Sequence, residues 1–290
     1  MKNLTHLKLE SPEQWLSEAL NCKKENVNSL KEIKDALSVC LESYGPLIEN
    51  SNANPSPSLL LASKELLISY YESAPSSLKK LIKSRRNDHD LSECPSCGNP
   101  TIPDTLDHFV PKDHWPEFSI NPNNLVPQCR ECAPIKGAKY YCTKDQAAIF
   151  LHPIYSETLS QIEFSISIEF EPNTQKIELD VKLLKPESMS DEQTLRIVRH
   201  FKNLQTSKRI KFFCYREINK WKSKLKEKKF DIKTALEVRI QEKNDNEKSR
   251  NWKTALYQAM LKNKDLIEYL SALSNKKNTP LQESKVEVDF

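Results

Sequence analysis

Two pairs of cysteines have the spacing of metal ligands. Cys94 and Cys97 lie in CPSCG, and Cys129 and Cys132 lie in CREC. Each turn can present two thiolates, and four thiolates at about 2.3 Å suit tetrahedral zinc. Four unrelated core cysteines are the alternative, but two CxxC pairs within 39 residues rarely arise by accident. The spacing therefore predicts a structural zinc ion.

The 31 residues between the pairs make too long a loop for a simple zinc ribbon. Zinc would then join the two ends of a larger unit. The functional residues of that unit should lie in the stretch between the two cysteine pairs. The other cysteines stand alone in apolar or helical surroundings, which favours small core residues, with Cys142 as a spare ligand. They are Cys22, Cys40, Cys142 and Cys214.

The stretch between the cysteine pairs contains an acidic residue next to a histidine. Apolar residues flank Asp107 and His108, which predicts a short strand. The sequence EFSI, residues 117–120, predicts a second strand, and NNLVPQCREC predicts a helix that begins near Asn124. Strand, loop, strand and helix would bring a histidine, an asparagine and a helix residue to one point.

The string DxxDHFVPK, followed by NNLVPxCxxC and PIKG, closely resembles the HNH endonucleases. Their ββα-metal motif is often held together by two CxxC pairs, and the resemblance covers about residues 94–139. It implies that His108 is the general base, that Asp107 binds a divalent metal ion and that Asn124 orients the histidine. In that family, a His or Asn after the last cysteine completes the metal ligands.

Phosphodiester hydrolysis requires these residue types. A water must be deprotonated near neutral pH, and histidine suits this step because its unperturbed pKa is about 6.5. A cation must also neutralise the charge that builds on the phosphate and the leaving oxygen. Mg²⁺ or another divalent cation prefers oxygen ligands such as the Asp107 carboxylate, so His108 would remain free of metal.

One position departs from the family pattern. Ala133 follows the last cysteine, where a methyl group cannot bind metal. The residue is either an engineered substitution or a natural loss, and engineering is favoured because every other motif position is intact. We expect a chain with this substitution to bind nucleic acid but scarcely to cut it.

Four basic residues near the motif are candidate nucleic-acid contacts, although any solvent-exposed basic loop would have the same composition. They are Lys112, His114, Lys136 and Lys139. Asp104 either supports the metal or caps a turn. The remaining histidines are assigned to structure, namely His6, His89, His152 and His200.

Helices on both sides must position this site. Residues 1–90 are predicted to form a helical N-terminal region. Residues 91–152 are predicted to form the HNH module that the resemblance implies. Residues 153–274 hold a β-hairpin around PNTQ and then basic helices, and residues 275–290 form a polar tail predicted to be disordered. The predicted fold class is α+β, a mainly helical chain with a central zinc-stapled ββα-metal HNH module and a β-hairpin.

The helices after the hairpin carry the positive charge of the chain. SDEQTLRIVRHFKNL begins with a predicted capping box of Ser190 and Gln193 and an apolar face at Leu195, Val198, Phe201 and Leu204. From residue 191 to 229 there are thirteen Lys or Arg and four acids, an excess of nine in a chain whose net charge is +4. The long helix here is either a phosphate-binding surface or a solvated helix docked by an apolar stripe. The stripe is Ile210, Phe213, Ile218, Trp221 and Leu225.

The composition excludes some classes of protein. Three Gly against 17 Pro and 29% charged residues argue against a Gly-rich nucleotide-binding fold. No run of residues is apolar enough for a membrane helix, and the first residues do not resemble a secretory leader. We expect a cytoplasmic protein with reduced cysteines and no membrane partner.

The leading hypothesis is therefore a metal-dependent nuclease that acts on DNA or RNA, a choice that the motif leaves open. The alternative is a zinc-stabilised nucleic-acid-binding or partner-docking module without catalysis. The chain also resembles the HNH effector subunits of Septu-type and retron-associated antiphage systems. That resemblance implies an ABC-type ATPase subunit and a retron assembly as partners.

Overall fold

The computed structural model describes residues 1, 3–11, 13–242 and 250–274. Helices dominate the described residues, and their strands form three small two-stranded sheets, which confirms the α+β class. The chain divides into two compact units. The first comprises Met1–Glu163 and Leu183–Ser207, and the second comprises Phe164–Lys182 and Lys208–Phe290. The tail predicted at 275–290 lies outside the described residues.

The first unit begins with a layer of amphipathic helices, as predicted. Their apolar positions recur at helical intervals, so that Leu30, Leu37 and Leu41 are buried. Ile33 lies at the break between the second and third helices and is only half-buried. The five helices are α1 (Glu13–Leu20), α2 (Val27–Glu32), α3 (Lys34–Glu49), α4 (Lys64–Glu72) and α5 (Ser76–Asn87).

Two short strands and a helix follow this layer. Strand β1 (Thr105–His108) pairs antiparallel with β2 (Leu125–Gln128), and helix α6 (Cys132–Lys136) comes after β2. The register places Asp107 opposite Val126 and His108 opposite Leu125. The order strand, loop, strand and helix is the predicted one.

Two elements differ from the sequence prediction. Residues 117–120 are not a strand, because Pro116–Phe118 form a 3-10 turn that is buried on all sides. Asn124 ends a second 3-10 turn and precedes β2, so it does not begin a helix. Pro127 explains the second difference, because the residue before a proline disfavours helical backbone angles. The helix consequently starts only at Cys132.

The N-terminal helices pack directly onto the strands and their connecting loop. Helices α3 and α4 contact the turn Pro116–Phe118, and α5 contacts β1 and β2. Arg85 of α5 is buried and donates hydrogen bonds to three backbone carbonyls, those of Leu7, Pro122 and Leu125. A single guanidinium thus joins the N-terminal segment, the loop and β2.

We expect Arg85→Met to lower the free energy of unfolding by about 3 kcal/mol, because the apolar side chain leaves buried carbonyls without a donor. Urea unfolding followed by circular dichroism would measure the change. Lys80→Met, at an exposed position of the same helix, is the matched control and should change stability little. Equal stability of the two variants would contradict a structural role for Arg85.

The first unit is completed by two small strands and a helix. Strands β3 (Tyr141–Cys142) and β4 (Ala147–Ala148) pair antiparallel, and α7 (Asp191–Asn203) begins with the predicted capping box. The predicted apolar face of α7 is wrong in part, since Leu195 and Val198 are 63% and 51% exposed. The buried face includes His200, which a search for apolar residues misses. Its members are Ile197, His200, Phe201 and Leu204.

The second unit contains the predicted hairpin, and its described residues include four helices. Strand β5 (Glu163–Glu171) pairs with β6 (Lys176–Leu184), and the predicted stripe of the long basic helix is mostly buried, with Phe213 half-buried. The helices are α8 (Thr206–Glu227), α9 (Ile232–Gln241), α10 (Trp252–Lys262) and α11 (Lys264–Ser274). No helix in the described part of the chain has both the length and the apolar character to cross a membrane.

Candidate metal centre and catalytic cluster

The four predicted zinc ligands lie together in the first unit. Cys94, Cys97, Cys129 and Cys132 are buried, and their sulfur atoms all lie within 4.8 Å of one another. The Sγ atoms of Cys97 and Cys129 are 3.9 Å apart. A tetrahedron with Zn–S bonds of about 2.3 Å has edges of about 3.8 Å. The cluster could therefore hold a metal ion such as zinc.

Local backbone geometry prepares the first cysteine pair. Gly98 has a φ of 75°, a left-handed conformation that favours glycine, and its N–H donates to the Cys94 carbonyl. The Asn99 N–H points to the Cys97 sulfur at 3.4 Å. Cys142, the predicted spare ligand, is not part of the cluster. The spacing C-x-x-C thus produces a tight turn that directs both sulfurs to one point.

His200 braces this turn from helix α7. Its Nε2 donates to the Ser96 carbonyl at 2.6 Å, and its Nδ1 accepts from the Leu151 N–H at 3.1 Å. One donor and one acceptor are what a neutral imidazole offers. Burial lowers the pKa of His200 to about 4, so the ring is neutral at physiological pH. The structural role predicted for this histidine agrees with these contacts.

The predicted general base, His108, is held in one tautomer. Its Nε2 lies 2.9 Å from the carbonyl oxygen of Ser119, which can only accept, so Nε2 carries the proton. Nδ1 of the neutral ring then has a free lone pair. Burial lowers the pKa of His108 to about 4, although the hydrogen bond that its ring donates to the Ser119 carbonyl favours a higher pKa. The ring also packs edge-on against Tyr71, with centroids 4.4 Å apart.

Asp107 forms a buried ion pair with Lys136 of α6. Nζ of Lys136 lies 3.0 Å from Asp107 Oδ2 and donates to the His108 carbonyl at 3.0 Å. The Lys136 side chain is 2% exposed, and the Asp107 side chain is 11% exposed. Burial raises the pKa of Asp107, and the neighbouring ammonium opposes that rise. The helix is thereby joined to the strand that carries the Asp-His pair.

Asn124 fixes the loop after β1 and makes no hydrogen bond to His108. Its Oδ1 accepts from the Val110 N–H at 2.7 Å and from the Tyr44 hydroxyl at 2.9 Å. Its Nδ2 donates to the carbonyls of Val110 and Phe118, both at 3.0 Å. Because Phe118 precedes Ser119, whose carbonyl bonds to His108, Asn124 is linked to the histidine through the backbone.

These residues do not fit a divalent metal ion as the chain stands. The Asp107 carboxylate already faces an ammonium, and both acceptor positions of the Asn124 amide oxygen are occupied. Ala133 precedes Lys136 by three residues in α6, and so lies on the same face with only a methyl group to offer. Asp104 is paired with Arg130 at 2.6 Å. The oxygen ligands that magnesium requires are therefore missing.

The predicted nucleic-acid contacts fall into two groups. The first group lies near the Asp-His pair. Lys136 is buried and paired with Asp107, and Lys112 is paired with Glu72 at 2.7 Å and lowers the pKa of His108. The second group is exposed. His114 is exposed beside Trp115. Lys139 is exposed beyond the end of α6 and donates to the Ile135 carbonyl.

Three residues that contact His108 or Asn124 were not predicted from the sequence. Tyr71 contacts the imidazole from α4, Ser119 acts through its backbone carbonyl, and Tyr44 bonds to Asn124 and lies 3.1 Å from Nε2 of His152. Tyr44 and Tyr71 occupy ordinary positions of amphipathic helices, so no local pattern distinguishes them. The carbonyl of Ser119 has no side-chain signature at all.

Fold and site together define a mainly helical α+β protein with a buried four-cysteine cluster that could bind a metal ion. The chain is similar to protein ea31 of Escherichia phage lambda, with 29% identity over 119 residues. The match covers 41% of this chain and 40% of ea31, so it spans about two fifths of that relative's length. No family model and no solved structure matches the chain.

Proposed function

We propose that the chain carries an HNH-type nuclease module that hydrolyses phosphodiester bonds in nucleic acid. The observation that carries the proposal is the position of the Asp107–His108 pair on β1, which pairs with β2 and is bonded to α6 through the His108 carbonyl. This ββα arrangement, closed by a cysteine cluster suited to zinc, is the one that the motif resemblance implies. We assign zinc to the cluster as a structural ion.

In this proposal, His108 is the general base. Nδ1 takes a proton from a water whose oxygen attacks phosphorus, the bond from phosphorus to the leaving oxygen breaks, and the leaving oxygen takes a proton from solvent water. The Ser119 carbonyl holds the ring in the tautomer that leaves Nδ1 unprotonated. Asn124 keeps the loop that carries this carbonyl in place. A divalent cation could neutralise charge on the phosphate only in a chain that has a metal-binding side chain in place of Ala133.

Because Ala133 cannot bind a metal ion, we expect the present chain to bind nucleic acid but scarcely to cleave it. We expect Ala133→Asn and Ala133→His to tighten binding of Mg²⁺ or Mn²⁺ by at least about tenfold, since even indirect support of a metal ligand is worth that much. Calorimetric titration measures the affinity directly. Cleavage of DNA and RNA in a Mg²⁺ titration should rise in parallel.

Ala138→Asn is the matched control, because it adds the same amide at an exposed position just after α6. It should leave metal affinity and cleavage unchanged. If neither residue-133 variant binds metal more tightly or cleaves better than this control, the nuclease proposal fails.

A second function is favoured by one observation. Lys136 already neutralises the buried Asp107 carboxylate, so this part of the site needs no catalytic metal ion for its stability. On this hypothesis, the module binds nucleic acid or docks a partner and has no activity. Nucleic-acid binding that persists while the residue-133 variants stay inactive would support it.

The partners are proposed from the resemblance to antiphage effector subunits. An ABC-type ATPase and a retron assembly would bring the nuclease to its target and control it. Affinity purification of the tagged full chain from cells that carry the neighbouring genes would test this. Recovery of an ATPase or a nucleic acid in fixed stoichiometry is the expected result, and purification of the chain alone would contradict it.

A further inference from the structure

A groove lies in the first unit where the end of helix α4 meets helix α5. It encloses about 340 Å³ and is lined by residues 71–74 and by one face of α5. The lining side chains on α5 include Lys79, Lys83 and Arg86. These residues are separate from the motif that the sequence identified, and none of them was predicted to bind nucleic acid.

The charge of this groove is positive. Lys79, Lys83 and Arg86 follow one another at intervals of four and three residues, which places them on one face of the helix. None of the three forms an ion pair within the described residues. Glu72 is the one acid that lines the groove, and it is paired with Lys112. Three positive charges are therefore available to a ligand.

The groove reaches the catalytic cluster through Tyr71. This half-buried tyrosine lines the groove and also packs its ring against the imidazole of His108, with centroids 4.4 Å apart. Lys112 is paired with the neighbouring Glu72 at the same end, so this pair adds no net charge to the groove. A ligand that fills the groove would contact Tyr71 and lie one aromatic ring away from His108.

We propose that this groove binds the sugar–phosphate backbone of the substrate strand and guides it to His108. The inference rests on the proposed function and names the surface that holds the substrate. From Lys79 to Arg86, the helix rises by about 10 Å, at 1.5 Å per residue. That length spans about three intervals between successive charges of a stacked strand, which carries one charge per 3.4 Å along its axis. The three cations are therefore spread over the length of about four phosphates of one strand.

The test measures binding, because the chain as written scarcely cuts. Fluorescein-labelled single-stranded DNA, single-stranded RNA and duplex DNA are titrated with the zinc-loaded full chain at several salt concentrations. In the variant K79Q/K83Q/R86Q, the slope of log affinity against log salt should fall by about two, since each lost phosphate contact removes about 0.7 to 0.9. The affinity itself should fall roughly tenfold or more at low salt.

Two triple variants control for the loss of charge. K23Q/K31Q/K80Q removes three exposed lysines of the N-terminal region that lie outside the groove, and R216Q/K220Q/K224Q removes three exposed basic residues of α8. The first should bind as the unaltered chain does. Lys83→Gln alone, at an exposed position, should lower the slope by about 0.7 to 0.9 and guards against misfolding of the triple variant. Circular dichroism and zinc content verify the fold of each.

The outcomes separate this proposal from the nuclease proposal. A groove variant that binds with an unchanged salt slope overturns the groove, and so does an equal loss in all three triple variants. Loss only in the α8 variant overturns it too, and assigns binding to that helix. If the groove variant loses binding while the residue-133 variants never cleave, the groove stands and the nuclease proposal fails. The three probes show which nucleic acid fits the groove best.

Discussion

Replacing Cys94 by Ser, or removing zinc with a strong chelator, should unfold the module that carries the Asp-His pair. The four cysteines come from two turns 31 residues apart, and their buried sulfur atoms would face one another without a cation. Binding of structural zinc supplies about 10–16 kcal/mol in small zinc domains, which exceeds the stability of most domains. Loss of the ion should therefore abolish the cooperative thermal transition of the first unit.

The measurement combines elemental analysis with thermal unfolding followed by circular dichroism. One zinc ion per chain is expected in the unaltered protein, and less than one in the Cys94→Ser variant. Cys142→Ser is the control, because Cys142 lies outside the cluster and is half-buried. Folded protein that contains no zinc would refute the assignment.

Replacing His108 by Ala should have the largest effect on catalysis. In an Ala133→Asn background that cleaves, we expect the rate to fall by about 10²- to 10⁴-fold, the usual contribution of a positioned general base. Zinc content and nucleic-acid affinity should not change, because His108 is neither a zinc ligand nor a residue of the groove lining. Initial rates on plasmid DNA and on structured RNA provide the measurement.

His114→Ala is the matched control for this experiment. That histidine lies six residues further along in the same loop but is exposed. At saturating substrate its variant should cleave at close to the parent rate, because loss of a nucleic-acid contact would weaken binding and leave the general base in place. If the His108 and His114 variants both cleave normally, the Asp-His pair has no role in catalysis.

The parts that were predicted correctly depend on neighbouring residues. A CxxC turn is local, so the spacing within each of the two pairs, Cys94/Cys97 and Cys129/Cys132, was enough to predict that its two sulfurs face one point. The hairpin followed from alternation around PNTQ, and the start of α7 followed from Ser190 and Gln193. In each case, the residues that determine the structure are adjacent in the sequence.

The errors arose where distant packing determines the structure. Residues 117–120 alternate weakly, but they are buried on all sides under α3 and α4 and form a turn. Lys136 was predicted to contact nucleic acid because it lies near the motif, where a backbone phosphate should pass, and only its position on α6 shows that it pairs with Asp107. Tyr71 and Arg85 lie in helices remote from the motif. The HNH family, its catalytic metal and the four-part division of the chain remain predictions.

The hydrogen bonds of Arg85 and Tyr44 affect whether the motif can be transferred to another protein. If residues 91–152 were excised and grafted onto another scaffold, the carbonyls of Pro122 and Leu125 and the amide of Asn124 would lose buried partners supplied by α3 and α5. The strand that presents His108 would then be free to shift even with zinc bound. The smallest transplantable piece must include these helices, so a gene fusion should keep the first unit whole.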